Sequence, residues 1–291
     1  DGNGTLLGDD GLSVSERTRD ILGRVQDLGI PCVLVTGRSL EKARPTLEQA
    51  GLREYVITEN GTRAMSIENG SAIHEVWLDG SEALEPVRRI RERFPSAFIA
   101  QLTSDGSLIE SSHPWLKLGG EPEEVARRLF RHIVPSIEVA LAPAPGDEAG
   151  DGGAPPGRRC AKCYVTVEGV ENFATTMAEI KAAAGDGWEV RQVKQLLPGG
   201  ITNTCEVQSS RVNKADCLAA LCRAIDIPMA NVWAFGDDAN DALMLTQAGW
   251  GVRMANHLPS LEGVGDDVTR YTNQEDGVAA YLEEHLLGAS K

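Results

Sequence analysis

The sequence predicts an α/β fold, a doubly wound parallel sheet with an inserted α+β domain, and three observations predict it. The opening alternates amphipathic helical spacing with short unbroken apolar runs, the grammar of parallel strands joined by crossover helices. The same alternation returns near the end of the chain. Between the two, the pattern changes to strands and helices that include a hairpin signal.

In chain order, Ser13 and Glu16 stand at capping-box spacing. Ile21, Leu22, Val25 and Leu28 follow at helical intervals, with Gly29 as a stop. Cys32-Val33-Leu34-Val35 reads as a buried parallel strand that ends in Thr36-Gly37-Arg38. Ser39 is placed to cap a second helix that runs to Ala50 and is kinked at Pro45. Tyr55-Val56-Ile57 gives the next buried strand, ending at Glu59-Asn60-Gly61.

The middle reads as helices near 81 to 93, 121 to 132 and 171 to 184, interleaved with strands near 97 to 103, 107 to 112, 160 to 168, 188 to 193 and 203 to 209. Ser104-Asp105-Gly106 joins the first two strands as a hairpin turn. Residues 140 to 159 are rich in Pro, Gly, Ala and Asp and read as a surface loop. Leu218, Leu221, Cys222 and Ile225 then mark a helix, Val232-Trp233-Ala234-Phe235 a strand and Gly251-Val252 another. The expected division is a core of residues 1–66 and 210–291 around an insertion of residues 67–209.

At 291 residues, with 42% hydrophobic and 24% charged residues, the chain is globular in composition and long enough for a core plus an insertion. Twenty-eight Lys and Arg against 43 Asp and Glu leave a formal charge of -15, which disfavours nucleic acid and anionic membrane surfaces as partners. No apolar run approaches the roughly 20 residues of a membrane helix, and a cytoplasmic location is the expectation. Cys160 and Cys163 form a lone CxxC within an alternating strand pattern, so packing is favoured there over zinc or redox chemistry.

Four clusters fall at the carboxyl ends of core strands or at a helix start, where α/β folds carry function. They are Asp1-Gly2-Asn3-Gly4-Thr5, Leu34-Val35-Thr36-Gly37-Arg38, Lys214, and Gly236-Asp237-Asp238-Ala239-Asn240-Asp241. Singly, each reads as turn chemistry or, for Lys214, as a solvated helix-start lysine. Their order resembles the four motifs of the haloacid dehalogenase superfamily. Tyr55 to Gly61, Gly236 to Leu245, Ala248 to Asn256 and Thr272 to Ala279 sharpen the resemblance to its Cof-type branch. The resemblance implies a Rossmann-like core, with the insertion as a type C2 cap that closes over the substrate.

What the resemblance further implies is a Mg²⁺-dependent phosphatase acting on a small phosphorylated metabolite, a sugar phosphate being the expected kind. Asp1 would attack phosphorus and form an aspartyl-phosphate. Asp1, the Asn3 backbone carbonyl and Asp237 would hold Mg²⁺, with Asp241 close by. Thr36, Gly37, Lys214 and Asn240 would bind the phosphoryl group, Lys214 also restraining Asp1. Arg38, Glu59 and Asn60 are weaker candidates, and Asp238 reads as a loop residue.

Two departures from the family pattern stand out. The family has a second aspartate where this chain has Asn3, and an amide cannot shuttle the proton that a general acid and base must move. A binding or regulatory protein that has lost turnover is therefore the rival reading, and a phosphomutase, which also needs that carboxylate, is disfavoured. The family also places its nucleophile after a buried central strand, so residues upstream of Asp1 are expected.

Overall fold

The computed structural model describes residues 1–117, 132–142, 158–193 and 203–288. They divide into two compact units, Asp1–Val76 with Val212–Lys291, and Trp77–Arg211. No helix among the described residues is long and apolar enough to cross a membrane.

In the first unit, α1 (Glu16–Asp27) leads to β1 (Leu34–Val35), α2 (Leu40–Ala50) and β2 (Tyr55–Thr58). β1 and β2 pair in parallel, Leu34 opposite Val56 and Val35 opposite Ile57. The alternation of a strand sends these pairs to opposite faces. Leu34 and Val56 pack with Ile21, Val25 and Leu47, while Val35 and Ile57 pack with Leu218, Leu221 and Leu245. Helices on both faces of a parallel pair are the doubly wound arrangement that the alternating pattern called for.

Three details differ from expectation. Ser15, not Ser13, caps α1, accepting a hydrogen bond from the Thr18 N–H; Ser13 belongs to a preceding turn in which Asp10 Oδ1 accepts from the Leu12 and Ser13 N–H groups. Cys32 and Val33 lie outside β1. Beyond β2 the chain doubles back as β3 (Arg63–Ser66) and β4 (Ala72–Glu75), both added antiparallel. Glu59, Asn60 and Gly61 all take positive φ there (49°, 55° and 104°), and this left-handed stretch reverses the chain. The first unit consequently runs to Val76, past the boundary expected at residue 66.

The carboxyl-terminal part of the unit supplies α6 (Lys214–Ala224), β11 (Trp233–Gly236), α7 (Ala242–Gln247), β12 (Trp250–Arg253), β13 (Asp267–Val268) and α8 (Gly277–Leu282). Its strands are parallel throughout and form a sheet of their own, in the order β11-β12-β13. The parallel strands of the unit thus fall in two sheets.

The second unit carries α3 (Gly80–Arg93), β5 (Phe98–Thr103), β6 (Gly106–Glu110), β7 (His132–Val134), α4 (Ile137–Leu141), β8 (Cys160–Thr166), α5 (Phe173–Ala184), β9 (Trp188–Gln192) and β10 (Thr204–Ser209). Its sheet runs β7-β6-β5-β8-β10-β9 and is antiparallel except for β6 with β7. β5 and β6 form the expected hairpin, closing with Thr103 opposite Gly106. Leu84, Val87 and Ile90 of α3 and Ile180 of α5 share a core with Ile99, Val165 and Val207 from the sheet. The helix expected over 121–132 lies outside the described residues, apart from His132, which opens β7. The loop expected over 140–159 is described only at its ends. Cys160 and Cys163 are buried in this core. Burial pushes the Cys160 thiol up to about 12, with nearby Asp105 and Asp79 adding to the shift, so the pair sits as packing residues.

Candidate active site

The four clusters marked in the sequence all lie in the first unit, where loops follow β1, β2 and β11 and where α6 begins. Lys214 is the first residue of α6, which Asn213 caps by accepting from the Asp216 N–H. A helix start fixes its direction, and the fully buried ammonium spans two carboxylates, 2.6 Å from Asp1 Oδ1 and 2.7 Å from Asp241 Oδ1. The turn after β2 locks against this helix start: a Cβ on Gly61 would lie 2.1 Å from the Asn213 carbonyl oxygen, at a φ of +104°.

Asp241 is fixed from both sides. Its Oδ2 accepts from the backbone N–H groups of Asp237 and Asp238, each at 3.2 Å, which leaves Oδ1 for Lys214. Burial alone would raise its pKa, but the Lys214 ammonium and those hydrogen bonds outweigh burial and hold the carboxyl below its ordinary value. Asp237 lies at the end of β11 and shows the opposite balance. Burial, reinforced by the charge of Asp241, pushes it up to about 6, against the pull of the Thr5 hydroxyl, which donates to its Oδ1 at 2.9 Å.

Asp1, Asp237 and Asp241 form a cluster in which one carboxylate oxygen from each lies within 4.8 Å of the others. Clustered hard oxygens are what a small divalent cation needs. Because Asp241 has both oxygens committed within the protein, Asp1 and Asp237 are the better placed to ligate, with Asp241 orienting them. Gly4 is the close neighbour of Asp237: at a φ of +72°, a Cβ there would lie 2.2 Å from Asp237 Oδ2. The Gly4 carbonyl accepts from Asn256 Nδ2 at 2.7 Å, and the Asp1 nitrogen donates to the Phe235 carbonyl at 2.7 Å. These contacts fasten the first loop to the strand that carries Asp237.

Thr36 follows β1 and is buried, its Oγ1 accepting from the Arg38 N–H at 3.2 Å and keeping its own proton to donate. A Cβ on Gly2 would lie 3.5 Å from that oxygen, so the hydroxyl stands beside the residue next to Asp1. Gly37 packs on Asn60, whose Oδ1 accepts from Asn240 Nδ2 at 3.1 Å. Asn240 therefore ties two loops together, and among the described contacts it does not reach Lys214 or Asp1. Asn3 is exposed, and Arg38 Nη2 donates both to its Oδ1 and to the Gly11 carbonyl.

Three residues of this constellation escaped the sequence reading as site residues: Gly4, Thr5 and Asn256. Gly4 and Thr5 lie inside the first quoted cluster, and the adjacent Asn-Gly pair was a signal for the turn; nothing local marks Asn256 as reaching Gly4.

The sequence pattern of haloacid dehalogenase-like hydrolases matches residues 1–132 and 194–282. Among curated proteins, a 5-amino-6-(5-phospho-D-ribitylamino)uracil phosphatase of Bacillus subtilis is 25% identical over 293 residues, covering 99% of this chain and 94% of its own. An HMP-PP phosphatase of Yersinia pseudotuberculosis is 27% identical over 298 residues, covering 98% and 93%. A solved haloacid dehalogenase-like hydrolase of B. subtilis shares the fold at a TM-score of 0.71 and 20% identity, over 98% of this chain and 97% of its own. A Thermotoga maritima protein does so at 0.73 and 20%, over 97% and 94%.

Proposed function

The chain belongs to the haloacid dehalogenase-like hydrolases, and from that membership we propose that this phosphoric monoester hydrolase is a Mg²⁺-dependent phosphatase of small phosphorylated metabolites, sugar phosphates included, with Asp1 as its nucleophile. The observation that carries the reading is the ammonium of Lys214 bridging Asp1 and Asp241, 2.6 Å from the first and 2.7 Å from the second. It restrains the proposed nucleophile and puts a positive charge where phosphoryl oxygens would gather.

Asp1 and Asp237, with Asp241 behind them, would hold Mg²⁺, which when bound offsets the negative charge of the phosphoryl group. Asp1 brings a carboxylate oxygen to phosphorus and forms an aspartyl-phosphate, dividing one difficult displacement into two. The Thr36 hydroxyl donates to a phosphoryl oxygen, and Lys214 neutralises another while keeping Asp1 aimed. Asn240 and Gly37, through Asn60, hold the surrounding loops in register.

Asn3 favours a second reading, a phosphate-binding or regulatory protein without turnover, because its amide carries no exchangeable acid proton. One experiment separates the two. Phosphate release from a panel of phosphorylated metabolites with Mg²⁺ should be detectable and should vanish in Asp1→Asn. Saturable phosphate binding, with no release from any member of the panel, would favour the regulatory reading.

A further inference from the structure

We propose that this site is built for phosphoryl donors whose departing oxygen is a weak base, such as the terminal phosphoryl group of a diphosphate or an aryl or enol phosphate. On this proposal Asn3, held by Arg38, receives the oxygen as an anion instead of protonating it. The inference rests on the phosphatase reading and narrows its substrate class.

Two features of this chain lead to it. The first is the residue type: on the phosphatase reading Asn3, two residues after Asp1, takes the place where a proton donor would be needed to expel an alkoxide, and an amide N–H can donate a hydrogen bond but cannot give up its proton. The second is what holds it. Arg38 Nη2 donates to Asn3 Oδ1 and to the Gly11 carbonyl, in the loop that the Asp10 turn shapes. A guanidinium has only donors, so the amide end it meets must be the oxygen, and the two N–H donors of Nδ2 are left at the other end. Arg38 is also a permanent cation, so the group behind Asn3 stabilises negative charge and has no proton to lend.

Leaving-group basicity then decides which substrates react. An alkoxide approaches hydroxide, whose parent water has a pKa of 15.7, and departs poorly without a proton. An aryl oxide is about as basic as a tyrosinate, pKa about 10, and a phosphate has its second pKa near 6. Both can leave as anions with N–H donors alone. In the first step an Asp1 carboxylate oxygen bonds to phosphorus, the bond to the departing oxygen breaks, and its electron pair stays on that oxygen. In the second, water attacks phosphorus and the Asp1 carboxylate is released. One proton of that water stays on the entering oxygen and the other passes to a phosphoryl oxygen, giving dihydrogen phosphate.

The test is kcat/KM with Mg²⁺ against leaving-group pKa, for a series of aryl phosphates, an organic diphosphate and an alkyl phosphate. The wild type should fall steeply as leaving-group pKa rises. Asn3→Asp should raise the alkyl phosphate by about 10²-fold or more while moving the best aryl phosphate only a few-fold, so that the slope flattens. Arg38→Met should lower the diphosphate and aryl rates about tenfold and steepen the slope, and Arg38→Lys should recover part of the loss. A wild-type slope near zero, with alkyl and aryl phosphates turned over alike, overturns the proposal and leaves the phosphatase reading standing. Turnover by Asn3→Asp with none by the wild type, even on the best leaving groups, overturns the proposal and the phosphatase reading together and favours the reading without turnover. No turnover by either protein on any substrate overturns both.

Discussion

Lys214 Nζ lies 2.7 Å from Asp241 Oδ1, and neither side chain is more than 1% exposed. With Asp1 on its other side, Lys214 is a single buried cation between two carboxylates. Removing one partner of such a group leaves charge buried without compensation, a cost of about 3–5 kcal/mol. Lys214→Met should destabilise the chain by that order in urea unfolding, and Asp241→Asn added to it should recover part of the loss. Strictly additive effects of the two substitutions would show that the pair is not coupled.

Gly4→Ala places a Cβ against Asp237 at a backbone angle that side chains rarely adopt. The left-handed conformation alone costs about 1–2 kcal/mol. The larger effect should be functional: displacing the Asp237 carboxylate should weaken Mg²⁺ binding and lower kcat/KM about tenfold or more. Calorimetric Mg²⁺ titration matching the wild type would sink this prediction.

Asp237→Asn removes one of the two carboxylates best placed to ligate a cation, and an amide oxygen is a poor replacement in a small hard-cation site. Mg²⁺ affinity should fall at least tenfold while the melting temperature without metal stays the same or rises, because burial disfavours the charged carboxylate in any case. Unchanged affinity would move the cation elsewhere.

His113 is buried in the second unit, and burial lowers its pKa to about 3. Unfolded histidine takes a proton near 6.5, so between pH 6.5 and about 3 the unfolded chain binds a proton that the folded chain refuses. The contribution of this group to stability is therefore complete above pH 6.5 and is lost as pH falls, by up to about 1.4 kcal/mol per pH unit. Urea unfolding at pH 7.5 and 5.5 should show a smaller pH loss in His113→Leu than in the wild type. Equal losses in the two proteins would refute the assignment.

The sequence by itself determined part of the local vocabulary: buried strands at Leu34–Val35 and Tyr55–Thr58, the amphipathic helix Glu16–Asp27, and the turn residues that end those strands. Periodicity and turn chemistry are local, and the paired burial of Leu34 and Val35 on opposite faces of β1 follows directly from them. The reversal at Glu59, Asn60 and Gly61, which adds β3 and β4 antiparallel, was hidden because left-handed φ at a glutamate is a state the surroundings impose. Whether Ser13 or Ser15 caps α1 was hidden too, since both are chemically able and only the turn at Asp10 decides. In the site, residue types and their strand-end places were legible in the one-dimensional pattern. The sharing of Lys214 between Asp1 and Asp241, the seat of Asp237 against Gly4 and the grip of Arg38 on Asn3 were not. These pairings join residues far apart in the chain, and hydrogen bonds and desolvated charges act over a few ångströms, so only the packed tertiary structure could choose them.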